Sequence, residues 1–213
     1  MPSKSRKLFK DKLLPDVVSL DETHRRVNHD GHGRRALGHI TRSGVVMLCA
    51  AWELYIEEVL VESACFLVNG AEAPDFLPPK VKGRIAQAAK NDTHEFGALR
   101  LCGDGWKEVY IDAVKRDAER LNSPKFGNIS ELFNKWLAVE SLDQDWRHTR
   151  EALNEFVTIR GEIAHRGADA QYVRISQLRT FKSMIDDLVV DIDRGLSDHL
   201  KEIGYGGRRP WRR

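Results

Sequence analysis

Cysteine is scarce in this sequence. The three it has, Cys49, Cys65 and Cys102, are widely spaced and odd in number. No Cys-x2-Cys pair occurs, which argues against a zinc ribbon. Cys49 and Cys65 lie in apolar helical runs and read as small core residues, suiting a reducing cytoplasm. Long apolar runs are lacking too. The longest, Val45 to Trp52, stops at Glu53 and is too short to span a bilayer, so no membrane association is expected. The stretch from Lys4 to Lys12 is basic, but no signal-peptide apolar core follows it. A dominant charge is also missing. The 34 lysines and arginines face 32 aspartates and glutamates, a net charge of +2. That excludes a surface that grips a polyanion throughout and leaves only local patches. The candidate patches are Arg25 and Arg26 with Arg34 and Arg35, the segment Lys80 to Arg84, and the end Arg208 to Arg213. The last mixes arginine with Trp211, a combination suited to phosphate and base, although a charged chain end reads first as solvated.

Strand-like alternation and internal repeats are absent, and helical periodicity dominates what is there. An amphipathic segment runs from Leu8 to Val27, and His29-Asp-Gly-His-Gly33 interrupts it. A second helix, Arg34 to Asn69, is apolar on most sides in its middle and reads as central. Gly70 and Pro74 end it. Pro78-Pro79 opens a short helix to Lys90, and Asn91 to Gly103 reads as loop. Asp104 caps a helix to Asn122, and Asn128 caps another to Val139. Long helical patterns follow over Gln144–Arg166 and Tyr172–Ile203. The expected fold is all-α, an up-and-down helical bundle with a helical insertion between its second helix and the helix ending at Arg166. One domain over residues 1–205 and a basic tail over 206–213 account for the length. His24, His29, His32 and His39 cluster early, but His29-x2-His32 is a weak match to ligand spacing. No metal site and no cofactor are expected.

The most informative stretch is Arg160-Gly-Glu-Ile-Ala-His165, with Gly167 as the stop signal after Arg166. Ala152, Leu153, Phe156, Val157, Ile163 and Ala164 mark an apolar stripe, and Arg160 falls on it. A charge there needs a carboxylate, a partner chain or an anionic ligand. Glu53, between Trp52 and Leu54, is the obvious carboxylate; the alternative is a glutamate on a polar helix edge continued by Glu57. An arginine fork holds a phosphate, and a histidine moves protons near neutral pH. His165 lies about 140° round an ideal helix from Arg160, so the two side chains do not stack on one line. Gly161 shares the face of His165 and implies close approach of a backbone or ligand, because glycine within a helix costs about 1 kcal/mol relative to alanine.

Two segments resemble a known family. Val157-Thr-Ile-Arg-Gly-Glu-Ile-Ala-His-Arg-Gly167 is similar to the R-[NDH]-x-I-A-H-G stretch of the HEPN superfamily. Met47-Leu-Cys-Ala-Ala-Trp-Glu-Leu-Tyr-Ile-Glu-Glu-Val-Leu60 is similar to the second helix of its RiboL-PSP-HEPN branch. The resemblance implies a metal-independent endoribonuclease, a hydrolase that binds RNA and acts as a toxin or an antiviral defence component. It implies a homodimer that brings both Arg-x4-His motifs into one cleft, and an antitoxin or defence-system protein as a further partner. Carried over by position, Arg160 stabilises the phosphate and His165 is acid or base, with Glu53, Gly161 and Arg166 in support. The departure is Gly161, where the family usually has Asn, Asp or His. A catalytically inactive HEPN-like module that binds RNA, nucleotide or a protein partner therefore stays open beside the nuclease.

Overall fold

The computed structural model describes residues 1–27 and 37–212, and among these there is no strand. The fold is all-α. Helix α1 (Lys4–Leu8) runs through a widened turn, Phe9–Leu13, into α2 (Leu14–Val27). The widening comes immediately before Pro15, whose ring would clash with the carbonyl four residues back in a regular α-helix. The helix starts four residues earlier than its apolar period suggests. The Ser3 hydroxyl accepts from the Arg6 amide, and Glu62 accepts the amides of Lys4 and Ser5, both at 2.9 Å. The second of these caps comes from another helix, so the local sequence does not announce it.

Helix α3 (Gly38–Gly70) is the central strut, 33 residues and about 50 Å long at the usual rise per residue. It packs against α1, α2 and most of the later helices. Its buried residues recur every three or four positions along its length and make a broad apolar face. Polar anchors set its register. Tyr55 donates to the Val189 carbonyl at 3.0 Å and Trp52 to the Pro124 carbonyl at 3.1 Å. At Gly44 a side chain would lie 2.4 Å from the Leu178 methyl, so glycine lets the last helix approach closely.

Three helices lie between α3 and the motif helix: α4 (Pro79–Lys90), α5 (Gly105–Ala118) and α6 (Phe126–Leu137). Helix α5 ends at Ala118 rather than Asn122, and α6 starts at Phe126 rather than after an Asn128 cap. Asn128 instead donates to the Ser123 carbonyl, and Asn154 of the next helix accepts the Phe126 amide at 3.0 Å.

Helix α7 (Arg150–Arg166) is shorter than expected at its start. Residues 144–149 have helical composition but are held elsewhere. Arg147 pairs with Asp187 and Asp191, and His148 meets Asp187 at 2.9 Å. Thr149 then caps the helix by accepting from the Ala152 amide. Helix α8 (Ile175–Ile203) completes the fold. It touches α7 through Phe156 and Phe181, whose ring centres are 5.2 Å apart. The chain end expected to be solvated is docked. Trp211 is 7% exposed, donates to the Asp193 carbonyl at 2.8 Å and accepts from Ser197 at its own carbonyl. Burying an indole contributes more than fraying of the end gains. No helix among the described residues is long and apolar enough to cross a membrane.

Candidate active site

Helix α7 presents the motif in its last two turns. Leu153, Phe156, Val157 and Ile163 are buried, and Arg160 lies between them, half-buried. Ala164, expected on the same stripe, is exposed, so the buried face is narrower than the sequence suggested. His165 and Arg166 are exposed. Gly167 ends the helix with φ 56°, and its amide returns to the Ile163 carbonyl. That positive φ is the conformation glycine adopts without strain.

Arg160 faces the middle of α3, where Cys49 and Glu53 stand one turn apart. Burial pushes the Glu53 carboxyl up, and the Arg160 guanidinium draws it back down. The two charges therefore feel each other as expected. Among the described residues, however, no hydrogen bond or ion pair within 4 Å joins them. The arginine fork is steered by Glu53 without being consumed by it, which keeps its donors for an anion. Burial pushes the Cys49 thiol up to about 12, with Arg160 acting against that and Glu53 adding to it. Cys49 is a neutral filler beneath the arginine at physiological pH, not a nucleophile. Its burial is legible in the sequence, and its electrostatic link to Arg160 is not.

At Gly161 a β-carbon would meet nothing within 4 Å among the described residues, so the backbone approach it was expected to permit does not come from them. Two wide clefts, about 1130 and 1300 Å³, lie elsewhere, between α1, the far half of α3 and the docked chain end. The arrangement thus puts Arg160 under the electrostatic influence of Glu53 and leaves His165 and Arg166 on the open surface.

Among the described residues no group of three or more histidines, cysteines and carboxylates is placed to hold a metal. His29, His32, Arg34, Arg35 and Arg213 lie outside the described residues. His24 is buried in α2.

A family model for RiboL-PSP-HEPN matches residues 12–198, nearly the whole bundle and both motif segments. The chain belongs to the RiboL-PSP-HEPN family. No curated protein and no solved structure matches it. The bounds of the family match take in α4 to α6 as well as the two motif segments. It also runs on through most of α8, the helix whose Phe181 backs the motif helix.

Proposed function

We propose that this chain is a metal-independent endoribonuclease that cleaves single-stranded RNA, acting as a toxin or antiviral defence component. The site is composite, with Arg160 and His165 contributed by two copies of the chain. The observation that carries the reading is the divergence of the two residues on α7. Arg160 turns inward over Glu53 and His165 outward into solvent, so one protomer offers only half of a phosphodiester site. A second copy meeting the first at the ends of α7 supplies the other half and covers the open space beside Gly161.

The chemistry needs a proton acceptor, a proton donor and charge stabilisation. One histidine takes the proton of the ribose 2′-hydroxyl as its oxygen attacks the adjacent phosphorus. The other gives a proton to the departing 5′-oxygen. The arginine forks bind the non-bridging oxygens as charge builds on them. The products are a 2′,3′-cyclic phosphate and a 5′-hydroxyl. DNA survives because it lacks the nucleophile. Arg166, beside His165, offers a further cation to the RNA backbone.

The test is incubation of the purified protein with mixed RNAs in EDTA, beside variants of equal helical content. Wild type is expected to cut, and His165→Ala to fall by at least roughly 100-fold, the lower range for loss of a general acid or base. Arg160→Lys should recover little of the activity lost in Arg160→Ala, because lysine lacks the bidentate fork. RNA that stays intact, or a His165→Ala variant that cuts as well as wild type, removes the nuclease reading. A catalytically silent module that binds RNA, nucleotide or a protein partner is the second reading. It is favoured by Gly161, which lacks the polar side chain usual after the arginine, and by a net charge of only +2.

A further inference from the structure

The helices between the two motif segments enclose a polar cleft of about 470 Å³ that the nuclease reading does not use. Three elements and one loop build it. Arg84, Gln87, Ala88 and Asn91 lie along and just past one face of α4, and Val109, Ala113, Arg116, Asp117 and Arg120 along and just past one face of α5. Lys135 and Trp136 come from α6, and Arg100 from the loop after α4. The volume falls in the usual range for small-ligand pockets, about 300–1,000 Å³.

Its charge is lopsided. Arg84, Arg100, Arg116, Arg120 and Lys135 line it against two carboxylates, Asp92 and Asp117. Both carboxylates are engaged. Asp92 accepts from Arg100 at 3.2 Å and from the His94 amide at 3.0 Å. Asp117 accepts from Lys135 and, at 2.9 Å, from the Trp136 indole. Arg100 is further held by Asp112 at 3.0 Å. These pairs fix the walls. Among the described residues no carboxylate pairs with Arg84, Arg116 or Arg120. Arg116 spends only its Nε, on the Asp112 carbonyl at 3.3 Å, and keeps both terminal nitrogens.

Helix-end carbonyls attract cations, and α4 and α5 both end here. Each helix end carries only about half a negative charge, however, which does not balance three unpaired guanidiniums. Arg84 is half-buried and Arg116 and Arg120 are exposed, so all three keep contact with water, and together they gather on one cleft a positive charge that favours an anion. Planar forks converging from two sides match the oxygens of a phosphate chain better than a carboxylate, which one fork satisfies.

We propose that this cleft is a binding site for a polyphosphate-bearing ligand, held by Arg84, Arg116 and Arg120 and shaped by the Arg100–Asp92 and Lys135–Asp117 pairs. The site is separate from Arg160 and His165 and stands whether or not the chain cuts RNA.

The test uses the full chain carrying His165→Ala, so that RNA cleavage does not enter the readout. Sodium triphosphate is titrated by calorimetry at low salt, followed by ATP, GTP and a short RNA bearing a 5′-triphosphate. Saturable one-to-one binding of triphosphate is expected, weakened at least tenfold in Arg84→Gln/Arg116→Gln and unchanged in Arg194→Gln/Lys201→Gln, two exposed cations on α8. Circular dichroism checks that the double variants keep their helices. A nucleotide that binds more tightly than triphosphate alone assigns the source as a free nucleotide. An RNA end that does so assigns it to RNA. No saturable binding of any of the four probes at millimolar concentration, or equal affinity in the Arg84→Gln/Arg116→Gln variant, overturns the proposal.

Discussion

A methyl group added at position 161 meets nothing within 4 Å among the described residues, yet the motif helix has a glycine there. Within one chain, Gly161→Ala should stabilise by about 1 kcal/mol, the difference in helix propensity. If a second copy or the RNA backbone packs on that face, the same methyl obstructs it. The expected outcome is a higher urea midpoint for the protomer together with slower RNA cleavage; unimpaired cleavage would show that nothing packs there. Glu57, one turn beyond Glu53, makes a prediction about acid and base. Burial first, then Glu53, Glu58 and Glu119, push its carboxyl up to about 7. A carboxyl whose folded pKa is raised holds its proton more tightly in the native state. Its contribution to stability is therefore fully present below the ordinary glutamate range and is lost as pH rises towards about 7. Glu57→Gln should match wild type in thermal midpoint near pH 4 and exceed it above pH 7. A difference that does not change across that range would show that Glu57 titrates normally.

Helix ends show where sequence reading works and where it stops. Pro79 opens α4 and Gly167 closes α7 as expected, because both signals are local: a fixed φ and a positive φ. The start of α7 was misplaced because Arg147 and His148 are held by Asp187 and Asp191 on a helix some 40 positions later. The local trace of the true start is Thr149. Thr149→Ala should cost about 1 kcal/mol, the usual loss of an N-cap, seen as a lower urea midpoint with little change in helical signal. An unaltered midpoint would mean that packing of Leu153 and Phe156 alone holds the first turn. The candidates Arg160 and Glu53 are legible in the sequence as charges on otherwise apolar helix faces. The arginine cleft is not, because Arg84, Arg100, Arg116, Arg120 and Lys135 come from separate segments that only the packing of α4, α5 and α6 brings together.

For the whole molecule the nuclease reading requires two chains, and that is testable without a structure of the pair. Light scattering at high micromolar concentration should give the mass of a dimer. A stronger check mixes wild type with the inactive His165→Ala protein in varying ratio. If one site needs both histidines, mixed dimers are impaired and cleavage falls as the square of the wild-type fraction. A monomer at every concentration, or cleavage that falls in simple proportion to that fraction, would remove the two-copy site while leaving the all-α fold and family membership untouched.

The bond from the Phe126 amide to Asn154 also provides a reporter. First-turn amides of a helix have no partner within it and exchange their hydrogens with solvent readily unless something outside closes them. Here the closing group belongs to the motif helix, reinforced by Arg150 lying 4.3 Å over the Phe126 ring. Deuterium uptake at this amide therefore measures how often α7 lifts away from α6. It does so on the helix carrying Arg160 and His165, without any substrate present, and it reads the same helix in active and inactive variants alike.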